Sequence, residues 1–361
     1  MNIESQIIKY TDLPFDYTKD DPHGIAALCN SHIQNIFRGN PNLKEPNQTF
    51  AYFKKVDNKY GGIAMFFPSV MKAGDELLEA TGGSTLEVYE EYRQLALGAD
   101  IVMYPIENKL SNALIYAGIS PMALPLYKKT RFAILEYPRL MLLRKSKPIL
   151  ESKNIRGVIG SILSTIIDSL LKVYSLYEKS CRNKLKKQFE IEEVHSIPEI
   201  VEEINKSDAH KYAEFHSKEW FQWNLENNLT GDKKDHQHFY MVSTGGENIG
   251  YFMTKERFKK EAGGQLHNIV VGSVVEWGAT DENILSEEKI NILALSTFTK
   301  DTDIIEFASA DNKTISKMKR FGFIQHGFAH IVVKDLTKRF KDIKDIKNWR
   351  IRYGYSDVIL T

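Results

Sequence analysis

Residues 86–99 decide the fold predicted for this chain, and they read Leu86-Glu-Val-Tyr-Glu-Glu-Tyr-Arg-Gln-Leu-Ala-Leu-Gly-Ala99. The pattern is typical of a strand that stops at Tyr92-Arg93 and turns directly into a helix opening with small residues. The first N–H groups of a helix have no partner within it, and the helix dipole places partial positive charge at the same end. We therefore expect an anion site here, of a size that suits a pyrophosphate.

Length and composition favour a globular protein with two domains. A chain of 361 residues exceeds most single cores, and 42% hydrophobic residues is typical of a folded protein. The balance of 48 Lys+Arg against 47 Asp+Glu argues against nucleic acid as a partner. Cys29 and Cys181 form no metal or redox motif, which suits a reducing compartment. The first residues lack the pattern of a signal peptide, so we expect a cytoplasmic protein.

The predicted elements occur in the same order twice along the chain. Residues 1–150 are predicted to give a strand, a helix and three antiparallel strands, then the helix from Gly98, a strand, a short helix and a closing strand. Residues 189–361 repeat this order, with a C-terminal extension, and residues 151–188 form a connecting helix. In both halves a short helix precedes a phenylalanine that enters a strand, at Phe132 and Phe323. An internal repeat of this length predicts two copies of one structural unit.

The segment from Gly157 to Tyr177 is apolar enough to require a membrane check. Asp168 and Lys172 interrupt it, and its apolar residues recur at helical spacing. We interpret it as an amphipathic helix of a soluble protein, packed against a domain, and expect no transmembrane segment. Peripheral membrane contact is the alternative, because basic residues follow the segment. The apolar positions are Ile159, Ile162, Leu163, Ile166, Leu170, Val173, Tyr174 and Tyr177.

Two motifs carry a resemblance to a known superfamily. Arg93-x-x-Ala96-x-Gly98 resembles the R-x-x-G-x-G/A loop of the GNAT superfamily, acyltransferases that hold the pyrophosphate of acyl-CoA in this way. Residues 126–132, Leu-Tyr-Lys-Lys-Thr-Arg-Phe, match the L-Y-x-x-x-G-F helix of that superfamily, and Arg320-Phe-Gly-Phe323 is similar in the second half. The resemblance implies an α/β (α+β) protein of two tandem GNAT-like domains. Each would have a mixed, mostly antiparallel sheet flanked by helices, and a long helix would join them.

The resemblance also implies a co-substrate and candidate site residues. Acetyl-CoA or another acyl-CoA would bind the predicted loop, whose backbone N–H groups hold the pyrophosphate, and Tyr127 would be the general acid. Glu79 and Glu87 are candidates for the general base, since equal parity places them on one strand face unless a bulge intervenes. Arg93 is expected either to touch a phosphate or to pack. The cofactor-binding residues are Val88, Arg93, Gln94, Leu95, Ala96, Leu97, Gly98 and Ala99.

The chain departs from the superfamily pattern at several positions. Ala96 replaces the first loop glycine, which is tolerated where φ is negative. Pro105 interrupts the helix that follows the loop, and Arg131 replaces the glycine after Tyr127. The second half has no R-x-x-G-x-G, and its acidic Asp281 and Glu282 would repel a pyrophosphate. We therefore expect the second half to shape the acceptor side rather than to bind CoA.

Other motifs leave alternatives open. Alternation puts His236 and His238 on one strand face without a third ligand at a useful spacing, so we expect no metal. Trp220 and Trp223, at i and i+3 of a helix, would either pack in the core or stack on a sugar. The segment 348–357 mixes aromatic and polar residues, which suits either an acceptor site or a strand docked on the second domain.

Three functional hypotheses follow. The first is an acyl-CoA-dependent N-acyltransferase acting on a small-molecule amine, with an amino sugar of surface-polysaccharide synthesis as one expectation by analogy. The second is an inactive protein of the same fold that binds a ligand or partner, motivated by Ala96, Pro105 and Arg131. The third is a Fem-like transferase that uses aminoacyl-tRNA. The near-neutral charge argues against the third, because tRNA contact requires a basic surface.

Overall fold

The computed structural model describes residues 1–16, 31–227, 232, 235–261 and 266–355. The helices within these residues are α1 Ser31–Arg38, α2 Leu97–Glu107, α3 Leu124–Lys129, α4 Lys147–Ser152, α5 Gly157–Leu185, α6 Ile200–Lys206, α7 Lys218–Glu226, α8 Glu287–Ala294 and α9 Asn312–Arg320. The strands are β1 Ile3–Lys9, β2 Thr49–Val56, β3 Lys59–Ala73, β4 Glu76–Val88, β5 Ala113–Tyr116, β6 Ala133–Leu143, β7 Glu190–Val194, β8 Tyr212–Glu214, β9 His236–Thr244, β10 Glu247–Glu261, β11 His267–Ala279, β12 Ile304–Ala308 and β13 Ile324–Asp335.

All strands of the described residues belong to one sheet, in the order β1-β2-β3-β4-β5-β13-β6-β12-β11-β10-β9-β7, with β8 paired to β3. From one edge the strands run β1-β2-β3-β4-β5, and from the other edge the corresponding strands of the second half run β7-β9-β10-β11-β12. The closing strand of the first half, β6, pairs with β12 of the second half, while β13 of the second half pairs with β5 of the first. The predicted mixed α/β class is confirmed, and the exchange of closing strands joins both halves into one sheet. The boundaries at residues 150 and 189 stay a prediction.

Helices cover both faces of the sheet, as expected for a sheet whose strands are buried on each side. On one face, α2 and α3 pack on β3, β4 and β5, and α8 and α9 pack on β10, β11 and β12. On the other face, α1, α6 and α7 bury an aromatic core that includes Trp220 and Trp223. This burial confirms the core alternative for the two tryptophans. We refer to the two surfaces as the α2 face and the α7 face.

The long helix α5 is present, but the predicted packing of its apolar residues is wrong. Of the apolar positions expected to bury this helix, only Leu163 is half-buried and the others are exposed. The helix instead turns other residues toward the body. Asp168 accepts a hydrogen bond from the backbone N–H of Ser146 at 2.9 Å, and Glu178 is buried beside Arg182 at 2.6 Å. Helical periodicity located the helix correctly, but a second stripe of mixed polarity makes the tertiary contact.

Candidate active site

The candidate site begins where two parallel strands separate. β4 and β5 pair in parallel only over Ala80–Gly82 and Ala113–Ile115. Beyond these residues β4 continues to Val88 beside β3, while β5 ends at Tyr116. We call this opening the first divergence. It exposes the ends of both strands to the start of α2 and to α3.

Two glycines permit the close packing at this point. A Cβ on Gly82 would overlap the ring of Phe67, and a Cβ on Gly83 would lie 2.5 Å from Cδ1 of Tyr116. Gly82 and Gly83 pair in register with Phe67 and Phe66. The register shift of β4 against β3 lies further along, between Ser84 and Glu87, where Thr85 has φ +54°. The irregularity of β4 therefore lies a few residues beyond the two glycines.

A cavity of about 360 Å³ lies in the first divergence. Backbone and small side chains of residues 83–86 and 117–120 line its opening, and Phe66, Ile101 and Val102 line it from β3 and α2. Tyr116 and Tyr127 line it from β5 and α3. Among its described lining residues there is no charged side chain, so the cavity suits an uncharged, largely apolar group.

Tyr127 lies in the site as expected. It is buried in α3, with its ring 5.9 Å from that of Tyr116 and 5.1 Å from that of Phe132, measured between centroids. This packing fixes the orientation of the ring. The general-acid role remains a prediction.

Tyr116 is the residue that sequence reasoning missed. Its hydroxyl is buried, and no hydrogen-bond partner for it lies within the described part of the chain. Burial raises the pKa of this phenol well above its ordinary value, and the nearby Tyr127 adds to the effect. Tyr116 therefore stays protonated, and its O–H requires an acceptor that the cavity can receive. Its position as the last residue of the apolar strand Ala113–Tyr116 was the available signal.

The predicted loop connects β4 to α2 at the edge of this cavity. A 3₁₀ turn spans Glu90–Leu95, Ala96 is left-handed at φ +58°, and α2 begins at Leu97. No side chain caps the helix at Ala96, which leaves the N–H groups of Leu97 and Gly98 available for an anion, whereas Ala99 donates its N–H to the carbonyl oxygen of Ala96 at 2.9 Å. The condition of negative φ that would make alanine tolerable at position 96 is not met. Pro105 lies in the last turn of α2, so the helix start keeps its regular geometry.

The remaining loop residues are held by local contacts. Arg93 donates from Nε to the carbonyl oxygen of Val88 at 3.2 Å, so its side chain fastens the loop to the end of β4. Leu97 is buried, whereas Gln94 and Ala96 are exposed. A Cβ on Gly98 would lie 3.5 Å from Leu126 of α3 and 3.6 Å from Val88, which places the helix start beside α3. The structure thus brings these residues together, and ligand binding by them remains a prediction.

The expectation that Glu79 and Glu87 share one face is wrong. Glu79 pairs with Val70 and Glu87 with Ile63, and the register shift at Thr85 lies between the two pairs. One extra residue reverses the alternation of side chains, so Glu79 lies on the α2 face and Glu87 on the α7 face. Glu79 is exposed and forms an ion pair with Lys44 at 2.9 Å. Neither carboxylate lines the cavity, so the geometry does not support either as the base.

The second half has a matching opening, which we call the second divergence. β11 and β12 pair in parallel only over Val271–Ser273 and Ile304–Glu306, and a register shift follows near Val275. Residues 349–355 of the chain fill this opening. Gly354 donates its N–H to the carbonyl oxygen of Val275 at 2.8 Å, and Arg352 pairs with the buried Glu276 at 2.9 Å. This tail is therefore structural rather than an exposed acceptor surface, and residues 356 and 357 lie outside the described residues.

A cavity of about 440 Å³ remains beside the tail, at the start of α8. Asp208, His210 and Glu282 converge at its edge within the spacing of a metal site. The guanidinium of Arg350 contacts both carboxylates of this group. Burial alone raises the pKa of Asp208, but the charges of Arg350 and Arg352 and the hydrogen bond with His210 together outweigh it and hold that pKa below its usual range. The group thus already contains a cation, and a metal ion is not needed to balance it.

His236 and His238 of the second half lie close together on β9. His238 contacts the carboxylate of Glu193 through Nδ1 at 2.7 Å, and the ring of His236 lies 6.4 Å from that of His238. Within the described ranges, His236 and His238 belong to no group of three metal-ligating side chains. This placement is that of surface histidines at a strand end.

Comparison with solved structures extends the resemblance to the whole chain. The yeast *Saccharomyces cerevisiae* N-myristoyltransferase with bound myristoyl-CoA is similar at a TM-score of 0.57 and 12% identity, covering 92% of this chain and 82% of that one. A GCN5-related N-acetyltransferase from *Anabaena variabilis* is similar at a TM-score of 0.52 and 10% identity, covering 93% of this chain and 73% of that one. No protein-family model and no curated protein matches the sequence. At such low identity the likeness establishes the fold and not the activity, and over more than nine tenths of its length this chain has the fold of the GNAT superfamily.

Proposed function

We propose that the protein is an acyl-CoA-dependent N-acyltransferase that binds its thioester at the first divergence. The observation that carries this proposal is the cavity between β4 and β5, which α2 lines through Ile101, Val102 and Pro105 and which Leu86 lines just before the loop to the uncapped N-terminus of that helix. The cavity and the helix N-terminus suit the two ends of one acyl-CoA molecule. The helix start offers N–H groups and a partial positive charge to a pyrophosphate, and the uncharged cavity accepts the acyl end.

The transfer itself requires few protein groups. The amine nitrogen attacks the thioester carbonyl, a C–N bond forms, the C–S bond breaks, and the amine proton reaches the departing thiolate. Tyr127, which lines the cavity from α3, is the proposed proton donor to that thiolate. Tyr116 has its pKa raised by burial, which makes it a poor acid, so we assign its O–H to hydrogen bonding of the bound thioester.

The cavity has no general base among its described lining residues. We therefore propose that the amine acceptor arrives in its neutral form. The rate then rises with pH until the acceptor amine is fully deprotonated, and the pKa seen in the profile changes with the acceptor used. Small amines, amino sugars among them, form the first acceptor panel.

Calorimetric titration with acetyl-CoA and longer acyl-CoAs tests the proposal, with two variants at Gly98. Gly98→Glu adds negative charge at the proposed anion site, while Gly98→Gln adds a neutral side chain of the same size. A Cβ has ordinary contacts at this position, and an acidic residue in a first helical turn is compatible with the dipole, so both variants are expected to fold.

We expect micromolar binding to the unchanged protein, most of it kept by Gly98→Gln and lost by Gly98→Glu. Equal losses in both variants would contradict the anion site. No heat and no thermal shift with any acyl-CoA would overturn the proposed function. Binding without transfer to any amine of the panel would favour the inactive ligand-binding alternative.

A further inference from the structure

The outward side of α5 carries more exposed large apolar side chains than any other element of the described residues. Nine of the 17 exposed large apolar side chains belong to this one helix, and each is between 46% and 76% exposed. They are Val158, Ile159, Ile162, Ile166, Leu170, Val173, Tyr174, Leu176 and Tyr177. A soluble surface rarely concentrates apolar side chains in this way without a partner.

Basic side chains predominate around this surface, and the exposed Glu151 and Glu190 flank it at its two ends. Residues 152–189 contain eight basic and two acidic side chains. Both acids face the body: Asp168 binds the backbone of Ser146, and Glu178 is buried with Arg182. The exposed basic residues, by contrast, stand at both ends and along one flank. They are Lys153, Arg156, Lys172, Lys179, Lys184, Lys186 and Lys187.

We infer that α5 binds an anionic lipid surface, lying in the plane of the interface with its outward apolar residues inserted. Amphipathic helices of 20–30 residues with apolar and cationic sides bind membranes in this way. The 29 residues of α5 give a rod of about 43 Å. The binding requires no acyl-CoA and stands independently of the proposed acyltransferase activity.

The arrangement of the apolar residues favours a lipid surface over a second copy of the chain. At 100° per residue, the exposed apolar positions cover about 160° of the helix circumference. Pairing with one other helix buries a narrower seam. Basic residues at both ends would also repel their counterparts in a parallel or an antiparallel pair of α5 helices. An anionic surface is complementary to both features.

A groove at the start of α5 also combines apolar and charged side chains. Its volume is about 810 Å³, and it lies between α4 and the first turns of α5. Leu150, Ile155, Val158 and Ile162 line it, together with Lys147, Arg156 and Glu151, whose carboxylate lies 3.9 Å from Nζ of Lys147. The groove thus combines an apolar floor with a surplus of one positive charge, which suits a lipid with an anionic headgroup.

The body of the protein sets the orientation of α5. By length and composition the helix is able to cross a membrane. However, Cys181 and Leu185 pack against the core beneath α8 and α9, and Tyr177 lies at the boundary of the apolar surface, 46% exposed, with its ring centroid 5.3 Å from that of Phe321. The protein thus covers one side of α5. This agrees with a helix that lies in the plane of the interface and disagrees with a membrane-spanning helix surrounded by lipid.

Vesicle flotation of the full chain tests the inference, using neutral phosphatidylcholine vesicles and vesicles with 30% phosphatidylglycerol. The variant Ile162→Glu/Ile166→Glu changes two exposed residues of α5, at 56% and 53% exposure. The matched control is Leu77→Glu/Ile284→Glu, which changes two exposed aliphatic residues elsewhere, at 45% and 48% exposure. Since all four side chains are exposed, both double variants are expected to fold.

We expect the unchanged protein and the control to float with anionic vesicles, and the α5 variant to bind about tenfold more weakly or not at all. The variant Lys184→Ala/Lys186→Ala/Lys187→Ala should weaken binding to anionic vesicles and flatten its salt dependence. Absence of flotation, or equal flotation with neutral vesicles, would overturn the inference. So would a dimer in sedimentation velocity that the α5 variant dissociates, since the occupant would then be a second copy.

Discussion

The first and second divergences have the same topology and opposite contents. Each follows a short parallel pair, each lies beside a register shift, and each faces the start of a helix. The first is open, lined by uncharged side chains, and ends at a tyrosine whose hydroxyl is unpaired within the described chain. The second is filled by residues 349–355 through buried ion pairs. The comparison teaches that a repeated fold can keep one opening for a ligand and use the other for its own chain.

The largest effect is expected from removing an ion pair that holds residues 349–355 in the second divergence. Arg352 and Glu276 are both buried, so Arg352→Ala removes one cation from a buried carboxylate, which keeps His216 at 3.2 Å, and should lower the free energy of unfolding by about 3–5 kcal/mol. The exposed ion pair Lys44–Glu79 of the first half serves as the control. Lys44→Ala should lower the free energy of unfolding by less than about 1 kcal/mol. Urea denaturation of both variants measures the difference. Similar costs would mean that the tail contributes no more than a surface ion pair.

The sequence predicted the local parts of this comparison and missed the long-range parts. The helix that follows the loop is local, so its pattern was sufficient, but the strand before it ends at Val88 rather than at Tyr92-Arg93, and a 3₁₀ turn over Glu90–Leu95 separates the two. The exchange of β6 and β13 depends on pairs distant in sequence, which periodicity does not encode. The faces of Glu79 and Glu87 depend on one extra residue at Thr85, because a bulge inverts all alternation beyond it. In α5, the spacing of apolar residues predicted the helix but not which of its sides packs on the rest of the protein.

The helix starts of the two divergences differ in their ionisable side chains, and the pH dependence of stability should reveal this. α2 begins with Leu97, whereas α8 begins with the buried Glu287, whose Oε2 accepts a hydrogen bond from Ser309 at 2.8 Å. Burial raises the pKa of Glu287 to about 8 in spite of that bond. The stability contributed by its protonated form is complete below the unfolded pKa, near 4.3, and is lost as pH rises through about 8.

Glu287→Gln keeps the shape and removes the titration. Between pH 5 and pH 8 the free energy of unfolding should therefore fall more steeply in the unchanged protein than in the variant, by at most about 1.4 kcal/mol per pH unit. Urea titrations at several pH values measure the two slopes. Parallel slopes would show that the pKa of Glu287 is not raised in the folded protein and that its carboxylate is ionised at the start of α8 across this range.

The unpaired hydroxyl of Tyr116 offers a test of the open divergence. Tyr116→Phe removes an O–H that has no partner in the described residues, so stability should stay equal or rise slightly. If the hydroxyl binds the thioester, affinity for acyl-CoA should fall up to about tenfold. Calorimetry and urea denaturation of the same variant separate the two effects. Lower stability with unchanged affinity would assign Tyr116 to structure alone.

The smallest expected effect concerns the loop that distinguishes the open divergence. Ala96 has φ +58°, a left-handed conformation that costs an L-residue roughly 1 kcal/mol and that glycine adopts freely. Ala96→Gly should therefore raise the free energy of unfolding by up to about 1 kcal/mol, because the relief of strain exceeds the added entropy of the unfolded chain. Gly98→Ala, at a position without positive φ, has no such strain to relieve and serves as the control for changing residue type in the same loop. Since Cβ of residue 96 also narrows the approach of a phosphate, acyl-CoA affinity should rise in the glycine variant as well. A stabilised variant with unchanged affinity would place the pyrophosphate away from residue 96, and a destabilised one would show that the loop does not adopt this conformation in solution.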